Sequence, residues 1–181
     1  MKTALLLIDL QNDYFEGGTM TLVNADKAIN NAKLILDKFR KDHLTVIHIQ
    51  HIATNPAATF FLPDTKGSEI HLTLQPLVEE KVIIKHYPNS FRETQLLSYL
   101  KDNAVTNLVI CGMMTHMCVD TTTRAAHDLG FICTLIGDAC ATKNLEIFSE
   151  KVIANDVQTA FLAALNSTFA NVVTAKIFLG L

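Results

Sequence analysis

Two periods of apolar residues alternate along the chain. Thr3 to Ile8 (TALLLI) is an apolar run of strand length, the pattern of a parallel strand buried on both faces. Asn24 to Arg40 then places Ala28, Ala32, Ile35 and Phe39 at spacings of four, three and four, which is one face of a helix. Leu44 to Gln50 reads as a second strand and Val82 to Ile84 as a short third. Ser90 and Glu93 have the spacing of a capping box, opening a helix that carries Leu96, Leu97 and Leu100. Asn107 to Gly112 is the fourth strand, and a helix from about His116 to Leu129 follows, with Gly130 as its stop. Phe131 to Ile136 is the fifth strand. Helical patterns cover Leu145 to Ile153 and Val157 to Phe169, and Asn171 to Thr174 is a short sixth strand.

Strands alternating with helices predict one α/β domain over residues 1–181, a mostly parallel sheet covered on both sides with right-handed crossovers. The segment from His51 to Glu80 breaks the rhythm. It carries the turn signals Asn55-Pro56, Pro63-Asp64 and Lys66-Gly67, and a loop of that length predicts a lid or a pocket wall.

Composition narrows the class. The 181 residues are 49% apolar, enough for one substantial core. Fifteen basic against 18 acidic residues give a net charge of −3, with no basic excess for nucleic acid. The apolar stretch Ala4 to Ile8 is too short to cross a bilayer and ends at Asp9 without a cleavage site, so a cytoplasmic protein with no membrane partner is expected. No Cys-x-x-Cys occurs among the four cysteines, and Cys111 and Cys133 sit in strand-like runs, so four reduced thiols are expected.

Ligands of open α/β sheets bind beyond the carboxyl ends of the strands. Asp9, Gln11, Asn12 and Asp13 follow the first strand, and His51 follows the second. Lys85 and His86 follow the third, and Gly112 to Cys118 follow the fourth. An acid, a base and a thiol thus converge on one rim. Taken singly, Asp9 also suits a turn or cap, Lys85 a snorkelling ammonium, and Cys118 a buried inert thiol on the helix face of Thr122, Ala125 and Leu129. Taken together they fit a nucleophile, a proton acceptor and a tuning cation. Cys118 falls in the first turn of a helix, where the positive end of the dipole favours a thiolate. His48 and His51 point to opposite faces of an extended segment, which argues against a metal centre. No G-x-G-x-x-G or P-loop is present, so no nucleotide cofactor is expected.

Leu6 to Gly18 (LLIDLQNDYFEGG), Val82 to Phe91 (VIIKHYPNSF) and Leu108 to Gly130 (LVICGMMTHMCVDTTTRAAHDLG) resemble, in that order, the segments of the isochorismatase-like cysteine hydrolases; Asp138 to Thr142 and Thr159 to Thr174 also look familiar. The resemblance covers nearly the whole chain. It implies a three-layer α/β/α sandwich with a six-stranded parallel sheet, and a catalytic triad of Asp9, Lys85 and Cys118. It also implies a cis peptide between Met113 and Met114, an oxyanion hole from the N–H groups of Met114 and Cys118, and a homo-oligomer, a dimer or larger. Phe15, His51, Phe61, Phe91, Met113 and His116 are the candidate substrate-binding residues. The Asp-x-His that nicotinamidases of this family use for a metal is absent from Gln50 to Pro56, so no metal or other cofactor is expected. The implied activity is cleavage of a small amide or ureide through a Cys118 thioester. Two alternatives are vinyl ether hydrolysis with Asp9 as general acid, and a silent binding or assembly module.

Overall fold

The computed structural model describes residues 1–181. Six strands form one parallel sheet: β1 (Lys2–Ile8), β2 (Thr45–His51), β3 (Lys81–Lys85), β4 (Val105–Met113), β5 (Ile132–Ala141) and, after a two-stranded hairpin of β6 (Leu145–Ile147) and β7 (Glu150–Val152), β8 (Asn171–Val173). Their spatial order is β3-β2-β1-β4-β5-β8. The order reverses direction between β1 and β4, and a crevice opens at such a point beyond the carboxyl ends of the strands.

Five helices cover the sheet: α1 (Ala25–Lys41), α2 (Leu96–Asp102), α3 (Asp120–Asp128), α4 (Ala154–Asn166) and α5 (Ala175–Leu179). Alternate residues of β1 face opposite layers. Leu5 and Leu7 pack with Ala28, Ile35 and Phe39 of α1, whereas Ala4, Leu6 and Ile8 pack with Leu96, Leu100, Ala126 and Leu165 of the other helices. A strand buried on both faces has to be apolar at every position, which is why TALLLI carries no polar alternation.

Three expectations are corrected. The segment Leu145 to Ile153 is the β6–β7 hairpin, not a helix. Phe148 and Ser149 both adopt positive φ (51° and 65°), the conformation of a two-residue hairpin turn, and Phe148 is 92% exposed. Ser90 and Glu93 form no capping box. The buried Ser90 hydroxyl pairs with Thr122 Oγ1 at 2.9 Å, Glu93 sits at φ 55°, and α2 begins only at Leu96. Finally, β5 runs ten residues rather than six, because it follows β4 out past an irregularity between Ile110 and Gly112.

The segment between β2 and β3 lies across the ends of the strands. Its far end is tied by Glu80, which accepts from Arg40 Nε (2.7 Å) and Nη2 (2.8 Å) and from the Leu77 N–H, and which meets His48 Nε2 at 2.9 Å. His48 is thus a satisfied core residue. Burial raises the cost of ionising Glu80, but the Arg40, Leu77 and His48 contacts outweigh it and hold the carboxyl at about 2, against 4.5 unperturbed. A depressed pKa adds stability above the unfolded value, and that stability disappears as pH falls through the folded one. Glu80→Gln therefore lowers the free energy of unfolding at neutral pH, and the gap from the parent closes as pH drops from about 4.5 towards 2. Urea titrations of both proteins across that range measure it; a gap that stays constant with pH contradicts the assignment.

Candidate active site

Asp9 is the residue directly after β1, and its backbone turns left-handed there (φ 51°) while its N–H still donates to Ile49 O (3.0 Å). A non-glycine residue in this region carries a strain of about 1–3 kcal/mol, tolerable because Asp is among the few types that enter it readily. The turn sends the carboxylate to the sheet switch point, fully buried. Lys85, the last residue of edge strand β3, is also fully buried. Its Nζ lies 2.7 Å from Asp9 Oδ2, 2.8 Å from His51 Nδ1, 3.1 Å from Tyr87 O and 3.3 Å from Cys118 Sγ.

Cys118 lies in a π-helical turn, Thr115–Val119, that joins β4 to α3. The peptide bond between Met113 and Met114, just before that turn, is cis. At Gly112 (φ 146°) the β4 backbone presses on β1 so closely that a Cβ would stand 2.2 Å from Ile8 O. The nucleophile's strand and the acid's strand are thus in direct backbone contact one residue before Asp9.

The electrostatics revise one expectation. Burial pushes the Cys118 thiol well above its ordinary range; Asp9 pushes it further the same way, and Lys85 only partly opposes them. Desolvation beside a carboxylate favours the thiol, against the helix-end effect expected from the sequence. Burial also disfavours charge on Lys85, but Asp9 and Cys118 outweigh it and the net shift is upward, so the ammonium persists. His51 is lowered to about 4, by burial and then by Lys85, so its ring is neutral and Nδ1 accepts the Lys85 proton. Lys85 contacts Asp9 as an ion pair, and neither Asp9 oxygen accepts a well-aligned hydrogen bond.

Asp9, His51 and Cys118 each present one ligand atom, all within 4.8 Å of one another. The centre of that cluster holds a cation already, the Lys85 ammonium, which touches all three side chains.

Of the candidate substrate-binding residues, His51 and Phe61 are at the triad: their rings are 5.8 Å apart, and Phe61 is buried. The others make different contacts. Phe15 packs on His71 (4.3 Å), Phe91 stacks on Phe131 (6.1 Å), Met113 enters the core on the α1 side, and His116 Nδ1 pairs with Thr142 Oγ1 (2.5 Å). Apolar neighbours thus hold Phe91 and Met113, while a histidine ring and a threonine hydroxyl hold Phe15 and His116.

Gln11 and Asp13, placed on the rim by the sequence but given no role there, prove to be structural clamps, and Tyr14 was missed. Gln11 clamps the rim, donating to His51 O (2.8 Å) and Ser68 O (2.7 Å) and accepting from the His51 N–H (2.7 Å). Asp13 accepts from the Thr19 N–H and hydroxyl and from the Phe61 N–H (2.6 Å), holding Phe61 in its left-handed conformation (φ 54°). Tyr14 is buried and packs edge-on against Phe61 (4.7 Å). Their position just after a buried strand is the signal that put Gln11 and Asp13 on the rim. Together these groups roof the triad, and Cys118 is 5% exposed.

Comparison with known proteins gives the family. The model of the isochorismatase domain matches residues 3–177. The isochorismatase family protein YddQ of Bacillus subtilis is 49% identical over 179 residues, 99% of each chain. The nicotinamidase of Escherichia coli is 26% identical over 184 residues, covering 79% of this chain and 84% of that one. The crystal structure of an isochorismatase from Pseudomonas putida superposes with a TM-score of 0.90 at 33% identity, covering 96% of this chain and 88% of that one. With the family's domain matched along almost its whole length, the chain belongs to the isochorismatase family of hydrolases.

Proposed function

We propose that this hydrolase cleaves the C–N bond of a small amide or ureide through a thioester on Cys118. The observation that carries the reading is the contact of one buried ammonium, Lys85, with both the Asp9 carboxylate (2.7 Å) and the Cys118 sulfur (3.3 Å). A thiol, an acceptor with open lone pairs and a fixed cation are the parts that covalent acyl transfer needs. The likeness to a nicotinamidase, which by its name acts on an amide, points the same way.

The steps follow from the protonation states. Asp9 takes the Cys118 proton as the sulfur attacks the carbonyl carbon. The new C–S bond displaces the carbonyl π electrons onto oxygen, and the N–H groups of Met114 and Cys118 receive that oxyanion. Collapse breaks the C–N bond, and Asp9 returns its proton to the departing nitrogen. A water then gives a proton to Asp9 and attacks the thioester; the C–S bond breaks, and Asp9 reprotonates the sulfur. Lys85 stays charged throughout and keeps Asp9 in place, and neutral His51 orients Lys85. No step calls for a metal, since Lys85 occupies the cation position among the three donors.

Vinyl ether hydrolysis on the same site would need Asp9 as acid and would leave Cys118 idle. Mutant kinetics separate the two. In the thioester route Cys118→Ala and Asp9→Asn each lower kcat by about 10³-fold or more, because the residues act as a unit. Asn accepts the left-handed backbone but leaves the buried Lys85 charge uncompensated, so the folding of Asp9→Asn is checked by circular dichroism before its kinetics are read. Retained turnover in Cys118→Ala beside a dead Asp9→Asn overturns the proposal, and an acyl adduct on Cys118 seen by intact mass supports it.

The pH profile gives a second check. Cys118 and Lys85 both titrate above their ordinary values of 9.0 and 10.5, and His51 titrates at about 4. Hence kcat/KM is flat from about pH 6 to 9; an alkaline fall or rise centred on the ordinary thiol range contradicts a resting thiol. Exhaustive chelation leaves turnover intact, and activity lost to a chelator but restored by zinc or iron overturns the metal-free mechanism.

A further inference from the structure

The turn that carries Cys118 is held from outside the triad by a side chain that the mechanism does not use. Ile110 of β4 pairs with Leu135 of β5, yet Gly112 pairs with Cys140, so β5 bulges between the two pairs. Gln158 of α4 answers the carbonyls of that bulge. Its Nε2 donates to Gly137 O (3.0 Å) and to Cys140 O (3.2 Å). Both amide protons are then used, which settles the orientation of the amide and leaves Oε1 as an acceptor. That oxygen receives the hydroxyl of Thr115 at 2.6 Å. A hydroxyl has one proton, so the longer contact of Thr115 with Ala141 O (3.2 Å) is the weaker.

Thr115 is fully buried and opens the π-helical turn Thr115–Val119, directly after Met114. The next residue, His116, is tied to the same strand end through Thr142 Oγ1 (2.5 Å). Gln158 itself lines a separate cleft, beside Thr142, Asn155 and Leu162, that neither Asp9, Lys85 nor Cys118 borders. Its influence on the reaction therefore passes through Thr115. In sequence that residue stands between the two backbone donors assigned to the oxyanion, the N–H groups of Met114 and Cys118. The sulfur, by contrast, is also held from the other side by Lys85 (3.3 Å). An apolar residue at position 158 would fill the space but leave two carbonyls and a buried hydroxyl short of a partner.

We propose that Gln158 is a positioning residue: through Thr115 it sets the N–H groups of Met114 and Cys118 where the oxyanion forms. This rests on the thioester reading. The link is a single hydrogen bond, so cutting it displaces the donors without deleting them, and small displacements at a reacting centre are costly.

Two reagents that meet Cys118 differently test it. p-Nitrophenyl acetate acylates the sulfur: the C–S bond forms through an oxyanion, the bond to p-nitrophenolate breaks, and Asp9 takes the thiol proton. Iodoacetamide alkylates the same sulfur by displacing iodide and forms no oxyanion. Acylation is read as p-nitrophenol release above that of Cys118→Ala, alkylation as labelling of the Cys118 peptide by mass. Thr115→Val removes the hydroxyl and leaves the bonds from Gln158 to β5 in place, so it cuts only the link. The ratio of acylation to alkylation rate then falls about tenfold, less than the outright loss of an oxyanion-hole donor. Gln158→Leu falls at least as far, the double variant falls no further than Gln158→Leu, and Thr115→Ser restores the ratio. A merely structural role slows both reagents by the same factor and leaves the ratio unchanged, which overturns the proposal. A parent protein that is alkylated on Cys118 but releases p-nitrophenol no faster than Cys118→Ala refutes the thioester reading and the proposal with it. Cys118-dependent acylation in the parent, with a ratio that survives Thr115→Val, refutes the proposal alone.

Discussion

The buried ion pair of Lys85 and Asp9 is the constraint on which the rest of the site depends. Two charges withdrawn from water at the end of a sheet are costly, and their attraction offsets that only if the remaining donor capacity is also used. Lys85 uses it on His51 Nδ1, Tyr87 O and Cys118 Sγ. Remove either partner and an uncompensated charge is left in the core. The pair therefore fixes the ends of β1 and β3 relative to each other and sets the surroundings in which the Cys118 thiol titrates, while burial and then the Lys85 charge keep His51 neutral.

The same pair explains why the rim is built as it is. A buried carboxylate next to a thiol has to be shielded from water to act as a strong proton acceptor, and the segment between β2 and β3 supplies the roof. Two polar side chains directly after β1 hold that roof down: Gln11 fastens it at His51 and Ser68, and Asp13 fastens it at Phe61. Gly67 lets the chain pass so close to Asp13 that a Cβ there would stand 2.2 Å from its Oδ1. Loop placement here is thus set by side-chain-to-backbone hydrogen bonds in the interior more than by loop propensity.

The sheet was legible because strands such as Ala4 to Ile8 and Leu108 to Cys111 are buried on both faces and leave polar residues no place. Asp9, Lys85 and Cys118 were legible for the opposite reason, as polar or reactive groups that end such runs. The β6–β7 hairpin was not, since three residues per strand cannot establish a period of two against the accidental helical spacing of Leu145, Phe148 and Val152. Tyr14 was hidden behind Phe15. Two adjacent aromatics in a turn give no periodic signal as to which faces inward, and packing sends Phe15 to His71. The protonation of Cys118 depends on depth and on a carboxylate brought near by folding, neither of which is written locally at residue 118.

The contact at Gly112 works as a gauge. The separation between the acid and the nucleophile is set where two main chains touch, Gly112 against Ile8, and not by the rotamers of the side chains that react. Main-chain contact of this kind has almost no compliance, so positional error at the sulfur is small and does not grow with the flexibility of the surrounding loops. It also has no slack: a single added methyl group at residue 112 would act as a shim between the strands, and its full thickness would be carried forward to the place where sulfur meets carbonyl.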